Sequence, residues 1–436
     1  MKKSLYLGVV LLLVMVFCVS NIFAQDVVTL KVYNYLDMSS AVAQVEMDQI
    51  WGAFEKANPN IKIELENQFN EPFHQKLQGY IAAGQLPDVI YMWPGGRSTS
   101  IHTQHLVKDL RPFLGKIAKE FNPAALAPQA GGYLGEIPIC VTATNVFYVN
   151  KKMLSDMGLS VPKTYADLKN AAKKLKAAGK STILMGSQDA WVPQSCIFSM
   201  IVGRLCGNEY MAKIIKGEAK FTDAPFVKSL KFFDQLFKDG VLDKKNLQTS
   251  YGDVNGLWVS GKAPFMIDGD WKVGNFLTDP STKQALIPVK EQPNYVMSLF
   301  PSIPGEVIHN STSVAAGTGF GMSAKIPAGS AKEKAAWKLI SYLVSPEVEK
   351  IRLETGMAFP DRKGVTSDKL EPFAKERARF SASSYNATWV LDDKIDASIV
   401  TPLNNGLQEI GLGISTPEQV AEVTQKAYDA WKAAQK

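Results

Sequence analysis

The sequence predicts an α/β fold in two lobes, and three observations carry that prediction. The first is length: 436 residues exceed one ordinary domain and suit two or three. The second is composition: 46% hydrophobic and 21% charged residues let each domain bury a core and exclude wholesale disorder. The third is periodicity, which switches between a two-residue and a 3.6-residue repeat along the chain. From Val28 the elements read strand, helix, strand, helix, strand. That order describes a doubly wound unit with parallel strands flanked by helices.

Each element has its own signal. Val28, Leu30 and Val32 alternate with polar residues, as a half-buried strand does. Met47, Ile50, Trp51, Phe54 and Ala57 recur at helical spacing, and Asn58-Pro59 stops that helix. Ile61, Ile63 and Leu65 alternate again; Phe73, Leu77 and Ile81 give a second helix, ended by Gly84. Asp88-Val89-Ile90-Tyr91-Met92 is apolar enough for a buried central strand. A second such set begins at Val146, with Val146 to Asn150 strand-like. Thr164 and Asp167 form a capping box that opens a helix running to Gly179. Ile183-Leu184-Met185 is a short strand, Phe226, Leu230, Phe233 and Phe237 a helical stripe, and Pro264 to Asp268 another strand. Helices then dominate, over 330–344, 346–355, 394–411 and 417–434, with Ser345 and Thr416 as caps and Pro346 and Pro417 in the first turns. Thr142–Asn145 and the stretch Pro301–Pro304 are the expected lobe boundaries.

The first segment stands apart from the fold. Lys2 and Lys3 precede an apolar run from Leu5 to Val19, and Ser20 to Ala24 ends on a small residue. This is the pattern of a secretory signal peptide over residues 1–24, and the run is short for a membrane span. Cys18 offers an alternative, a lipoprotein cut before it, against which bulky Phe17 argues. Cleavage after Ala24 leaves Cys140, Cys196 and Cys206, an odd number, so at least one thiol is unpaired. On one continuous helix Cys196 and Cys206 would lie about 15 Å apart, too far for a disulfide. Gly203 and Gly207 could break that helix and keep a bridge open; the default expectation is buried free thiols. The formal charge of +6 is scattered, and no basic stripe for nucleic acid is present.

Several segments share a pattern with a known family. They are Ala57-Asn58-Pro59-Asn60-Ile61-Lys62-Ile63, Gly84-Gln85-Leu86-Pro87-Asp88-Val89 and Gly135-Glu136-Ile137-Pro138. Phe147-Tyr148-Val149-Asn150-Lys151 and Val161-Pro162-Lys163-Thr164-Tyr165 follow. Gly261 to Met266 with Gly269-Asp270-Trp271, Gly319-Phe320-Gly321-Met322 and Gly356 to Pro360 complete the run. In this order the chain resembles the bacterial extracellular solute-binding proteins of family 1, the maltose-binding-protein-like sugar-binding group, over nearly its whole mature length. Val149 and Tyr165 depart from the family's usual Tyr and Trp, at packing positions. The resemblance implies a two-lobed periplasmic binding protein of type II with a ligand cleft between the lobes. It implies a first lobe of 26–143 plus 316–350, a second of 144–302 plus 351–436, and a crossover at 303–315. It further implies a monomer that captures a carbohydrate, an oligosaccharide by preference, and delivers it to the membrane permease of an ABC transporter. No cofactor, metal, nucleic acid or catalysis is expected, and the place of action is periplasmic or extracytoplasmic.

Ligands of open α/β sheets bind beyond the carboxyl ends of the strands. Tyr35 and Asp37 follow the first strand and Trp93 the third; Arg97 and Asn145 lie in nearby connections. Gln188 and Trp191 follow the Ile183 strand, Asp270 and Trp271 the Pro264 strand, and Trp389 lies in the loop after Tyr385. The resemblance places the family's stacking aromatics at or near Trp93, Trp191, Trp271 and Trp389. Trp51, Trp258, Trp337 and Trp431 sit in helical patterns and read as packing. A sugar has apolar faces and a rim of hydroxyls. Covering about 40–60 Å² of a face at ~25 cal/mol/Å² contributes ~1–1.5 kcal/mol per aromatic. Micromolar binding needs about 8 kcal/mol, so hydrogen bonds must add the rest, and Asp37, Asp270, Gln188, Asn145 and Arg97 are the candidates.

Other signals lead elsewhere or nowhere. His102 and His105 have a metal-like spacing without a supporting ligand cluster. Gly317 to Gly321 lacks the spacing of a dinucleotide loop. Asp268 with Asp270 would point to opposite faces of a strand, and Asp392 with Asp393 reads as a solvated loop, so neither makes a glycosidase pair. The sequons at Asn310 and Asn386 are explained by chance. A phosphate-bearing or other polar solute on the same fold, or a secreted carbohydrate-active enzyme, are the competing readings. Clustered Arg and Lys in the cleft loops would favour the phosphate, and the loops are aromatic instead.

Overall fold

The computed structural model describes residues 27–434, apart from 41, 94, 122, 127–131 and 361. The segment expected to be a signal peptide, with Cys18, lies outside the described residues.

Among the described residues, ten strands form two sheets. The first holds β1 (Val28–Tyr35), β2 (Ile61–Gln68), β3 (Val89–Met92), β4 (Glu136–Ala143), β9 (Ser311–Met322) and β10 (Asn386–Trp389). Its order is β10-β9-β3-β1-β2, with β4 also on β9. β1 runs parallel to β2 and β3, with Val28 opposite Ile61 and Val32 opposite Val89. This is the expected strand–helix–strand–helix–strand unit. β3 is buried throughout and lies between β1 and β9, as its apolar run requires. β1 is more buried than its alternation implies: Val32, Tyr33 and Asn34 are all inside. Tyr33 stacks on Phe73 at 4.5 Å, while Leu339 and Ile340 of the helix Ala331–Leu343 join the same core.

The second sheet has the order β6-β7-β5-β8, from β5 (Val146–Asn150), β6 (Ile183–Leu184), β7 (Phe265–Asp268) and β8 (Tyr295–Ser298). Here strand direction differs from the expected parallel set. β6 and β7 are parallel, but β5 is antiparallel to both β7 and β8. β5 is the strand by which the chain enters, straight from β4 through Thr144 and Asn145. It needs no crossover helix and so is free to run opposite to its neighbours. β9 is likewise reversed against β3 in the first sheet.

β9 is the longest strand and has three partners. Ser311–Val314 pairs with β10, Val314–Gly321 with β4, and Gly319–Met322 with β3. The glycines of this strand have a steric cause. A Cβ at Gly319 would lie 1.9 Å from the Ile137 carbonyl oxygen of β4.

Most helix ends match their sequence signals. Thr164 and Asp167 make the full capping box of the helix Tyr165–Ala177, and Ser345 caps Pro346–Glu354. The stripe helix spans Ala224–Lys238 and the last helix Pro417–Ala434. The helix expected over 394–411 is split: a short turn, Leu391–Lys394, precedes Ala397–Leu412, which Asp396 caps. One long helix, Ser199–Lys216, has no amphipathic signal because nearly all of its first half is buried. Gly207 breaks it at φ 77°. Cys140, Cys196 and Cys206 are not joined in a disulfide among the described residues, and the first two are buried.

The cores are separate. One apolar cluster runs from Leu30 to Cys140 and resumes from Phe320 to Ala358. Two others draw on residues from Ala143 to Tyr428. Among the described residues, no helix is long and apolar enough to cross a membrane.

Candidate functional site

A cavity of ≈ 240 Å³ lies where the carboxyl ends of both sheets meet. Three parallel strands of the first sheet feed it directly. β1 supplies Tyr35 and, just beyond, Asp37; β2 leads into Phe69, Asn70 and Glu71; β3 supplies Tyr91 and then Trp93. The second sheet faces them with Trp191 after β6 and Trp271 after β7, and Tyr251 stands beside both.

The walls are aromatic. On one side Tyr35 meets Trp93 edge-on at 5.2 Å, Phe69 at 5.1 Å and Tyr91 at 5.6 Å. On the other, Trp191 lies 5.2 Å from Tyr251 and 6.3 Å from Trp271. Trp271 is fixed from behind. Its indole N–H donates to the Tyr251 hydroxyl at 2.6 Å, and its ring lies over Gly269, where a Cβ would come within 2.2 Å of it. Tyr251 is held in turn by Lys272, whose Nζ sits 3.3 Å from the ring centroid and donates to the Tyr251 carbonyl. The indole N–H groups of Trp93 and Trp191 are buried and have no partner among the described residues.

The two sides also touch directly. Asn70 Nδ2 donates to Asp189 Oδ1 at 2.6 Å, and Phe69 lies 6.4 Å from Tyr251. Arg97 reaches Asp392 Oδ2 at 3.3 Å. Deeper in the cavity, Arg352 and Glu46 form a buried pair, with Nη2 to Oε1 at 2.6 Å. Burial opposes the Arg352 charge, but Glu46 overcomes it and holds the guanidinium above its ordinary value. His74 is pushed down to about 2 by burial and then by Arg97, so its imidazole is neutral. Burial drives the Tyr91 and Tyr251 phenols well above their ordinary value.

Six of the ten residues singled out from sequence line this cavity: Tyr35, Asp37, Trp93, Arg97, Trp191 and Trp271. Four do not. Asp270 is buried beneath Trp271 and lies 3.3 Å from Arg377 Nη2, a structural ion pair. Asn145 is fully buried and donates to the Cys196 carbonyl, which ties the β4–β5 link to the second core. Gln188 is exposed, and its carbonyl accepts from Gln408. Trp389 closes β10 rather than sitting in a loop, and packs against the second core with Lys394 5.6 Å from its ring.

Asp392 and Asp393 also differ from expectation. They lie in the helical turn Leu391–Lys394, Asp393 is buried against Lys394, and Asp392 lines the cavity. The close approach of Gly95 explains this: a Cβ there would fall 1.5 Å from the Asp393 carbonyl oxygen. His102 pairs with Glu136 at 3.0 Å, and His105 stacks on Tyr133. Among the described residues, no group of three His, Cys, Asp or Glu could hold a metal ion.

Sequence reasoning passed over Phe69, Asn70, His74, Tyr251 and Glu46. Phe69 and Asn70 follow β2 as Tyr35 follows β1, so the strand-end rule covers them. Tyr251, a lone aromatic between Ser250 and Gly252, carried a weaker signal. Glu46 has none, because its role depends on Arg352, far along the chain.

The comparisons with known proteins bear on the family and the fold. An uncharacterized ABC transporter extracellular-binding protein of Pyrococcus horikoshii is 24% identical over 370 residues, covering 83% of this chain and 78% of that protein. A multiple sugar-binding protein of Streptococcus mutans is 22% identical, covering 80% and 78%. Among solved structures, a chitin oligosaccharide binding protein superposes with a TM-score of 0.81 at 22% identity, covering 93% of this chain and all of the other. The family model described as bacterial extracellular solute-binding protein matches residues 40–350. With two α/β sheets meeting at an aromatic cleft and that match over most of its length, the chain belongs to the bacterial extracellular solute-binding protein family.

Proposed function

We propose that this protein captures a carbohydrate in the cavity between its two sheets and delivers it to the permease of an ABC transporter. The observation that carries the reading is the pair of facing aromatic walls, Tyr35, Tyr91 and Trp93 against Trp191, Tyr251 and Trp271. Flat rings on both sides suit the apolar faces of a sugar ring, and the unpartnered indole N–H groups suit its oxygens. The relatives named for sugar binding support the same ligand class. The reading is binding rather than catalysis, which the relatives named for binding support.

The lobes are proposed as 26–143 with 316–350, and 144–302 with 351–436, joined at 303–315. The separate apolar clusters support this division, with Ile351 and Ala358 packed on the first cluster close to the 350 boundary. Ligand contacting both walls would favour the closed arrangement through the contacts made there. The protein is proposed to act as an extracytoplasmic monomer after loss of residues 1–24, with lipid anchoring at Cys18 as the lesser alternative. Intact mass and size-exclusion of the secreted protein check both.

A thermal-shift screen against mono- and oligosaccharides tests the ligand class. A sugar at 100 times its dissociation constant adds about 2.7 kcal/mol of stability. No shift with any sugar would overturn the reading. With a binding sugar identified, Trp271→Ala should weaken it more than about tenfold and leave the fold intact.

A further inference from the structure

The cavity lining carries four carboxylates, Asp37, Glu46, Glu71 and Asp392, and two guanidiniums, Arg97 and Arg352. Each guanidinium has a carboxylate of its own. Arg352 holds Glu46, and Arg97 holds Asp392. His74 adds no charge, since its imidazole is neutral. Lys272 stands behind Tyr251, 3.6 Å from Asp268, as another internal pair. What remains on the described lining is two carboxylates, Asp37 and Glu71, beside the ring of Tyr35. Ser39 steadies Asp37 through its backbone N–H and its hydroxyl, both onto Oδ1. Glu71 opens the helix Glu71–Ala82, where a carboxylate is favoured. Among the described residues, the indole N–H groups of Trp93 and Trp191 are buried donors with no partner.

We propose that this cleft selects its ligand by charge, with Asp37 and Glu71 accepting hydrogen bonds from hydroxyl or ammonium groups while anionic sugars are turned away. The inference rests on the carbohydrate reading and narrows it. The phosphate-bearing solute loses support on the same ground, because both arginines are already paired. A ligand anion about 8 Å from two unpaired carboxylates, at an effective dielectric near 40 and partly screened by salt, loses roughly fivefold to thirtyfold in affinity.

Two measurements test this on the full mature chain. Calorimetric titration compares three disaccharides of similar size: cellobiose, the glucosamine dimer and digalacturonate. Cellobiose or the glucosamine dimer should bind at least fivefold tighter than digalacturonate, and a tighter glucosamine dimer identifies ammonium as the preferred donor. Digalacturonate binding as well as either would overturn the proposal.

The second measurement needs no sugar. Caesium and iodide quench the fluorescence of tryptophans they reach, and Trp93, Trp191 and Trp271 are half-buried at the cleft. Relative to free tryptophan amide, caesium should be favoured over iodide by about threefold. The D37N/E71Q double variant should lose that preference while keeping its melting temperature. Equal quenching by both ions, unchanged in the variant, would overturn the proposal. A retained ion preference with no sugar bound in any screen would instead sink the carbohydrate reading and leave the charge selection standing.

Discussion

Glu46→Gln removes one charge from a buried pair at the back of the cavity, and its cost can be worked from the contacts. Arg352 is 2% exposed and donates to both Glu46 oxygens, at 2.6 and 3.2 Å, and to the Leu343 carbonyl at 2.7 Å. Breaking a buried pair by removing one partner costs about 3–5 kcal/mol, because the other charge stays buried without compensation. The guanidinium keeps the Leu343 carbonyl and one amide oxygen, so the lower end applies, about 3 kcal/mol. For a unit of 150–250 residues that is a fall in Tm of about 6–12 °C. Scanning calorimetry and urea unfolding both read it. Replacing both partners, Glu46→Leu with Arg352→Met, should recover most of the loss, since apolar groups of similar volume often substitute for a buried pair without penalty. A Glu46→Gln protein within about 0.5 kcal/mol of the parent would refute the reasoning, because the guanidinium would then have found compensation elsewhere.

Three further outcomes follow from the same geometry. Folding keeps His74 from taking a proton until about pH 2, whereas the unfolded chain takes one near 6.5. Stability should therefore fall as pH drops below about 6.5, by at most about 1.4 kcal/mol per unit, and His74→Asn should flatten urea midpoints between pH 6.5 and 5. Gly269→Ala puts a methyl into the Trp271 ring, so it should cost about 1–3 kcal/mol and weaken sugar binding more than about tenfold by calorimetry; unchanged affinity would show that the ring's seat does not matter. Lys272→Met takes away the cation on Tyr251 and leaves Asp268 buried, and should lower Tm and loosen Trp271, seen as a red-shifted tryptophan emission.

What could be read in the sequence was what neighbours along the chain decide. The Thr164–Asp167 cap, the Ser345 cap and the all-apolar β3 are local facts, and each element formed where its signal stood. Tyr35, Trp93, Trp191 and Trp271 were legible because the carboxyl ends of strands mark the ligand side of such sheets. Pairing between distant strands was not legible. Nothing near Val146 says that β5 runs against β7, more than a hundred residues later. Asp270 and Trp271 show the same limit at one residue's distance. They are adjacent, yet Trp271 lines the cavity while Asp270 goes to Arg377 in a different helix. The helix Ser199–Lys216 escaped for the opposite reason: burial of almost every side of its first half erased the periodicity that would announce it.

The long strand β9 has a consequence for how this chain tolerates change. Its first four residues align with β10 and its last four with β3, while β4 spans the stretch between. Side chains along a strand alternate between faces, so one extra residue between Val314 and Gly319 would invert every residue on one side of it relative to the other. Both faces of this strand are buried, so either the β10 end or the β3 end would then press its side chains into the wrong buried face. Surface loops of this protein can lengthen or shorten cheaply. This one strand cannot, because β10, β4 and β3 all take their register from it.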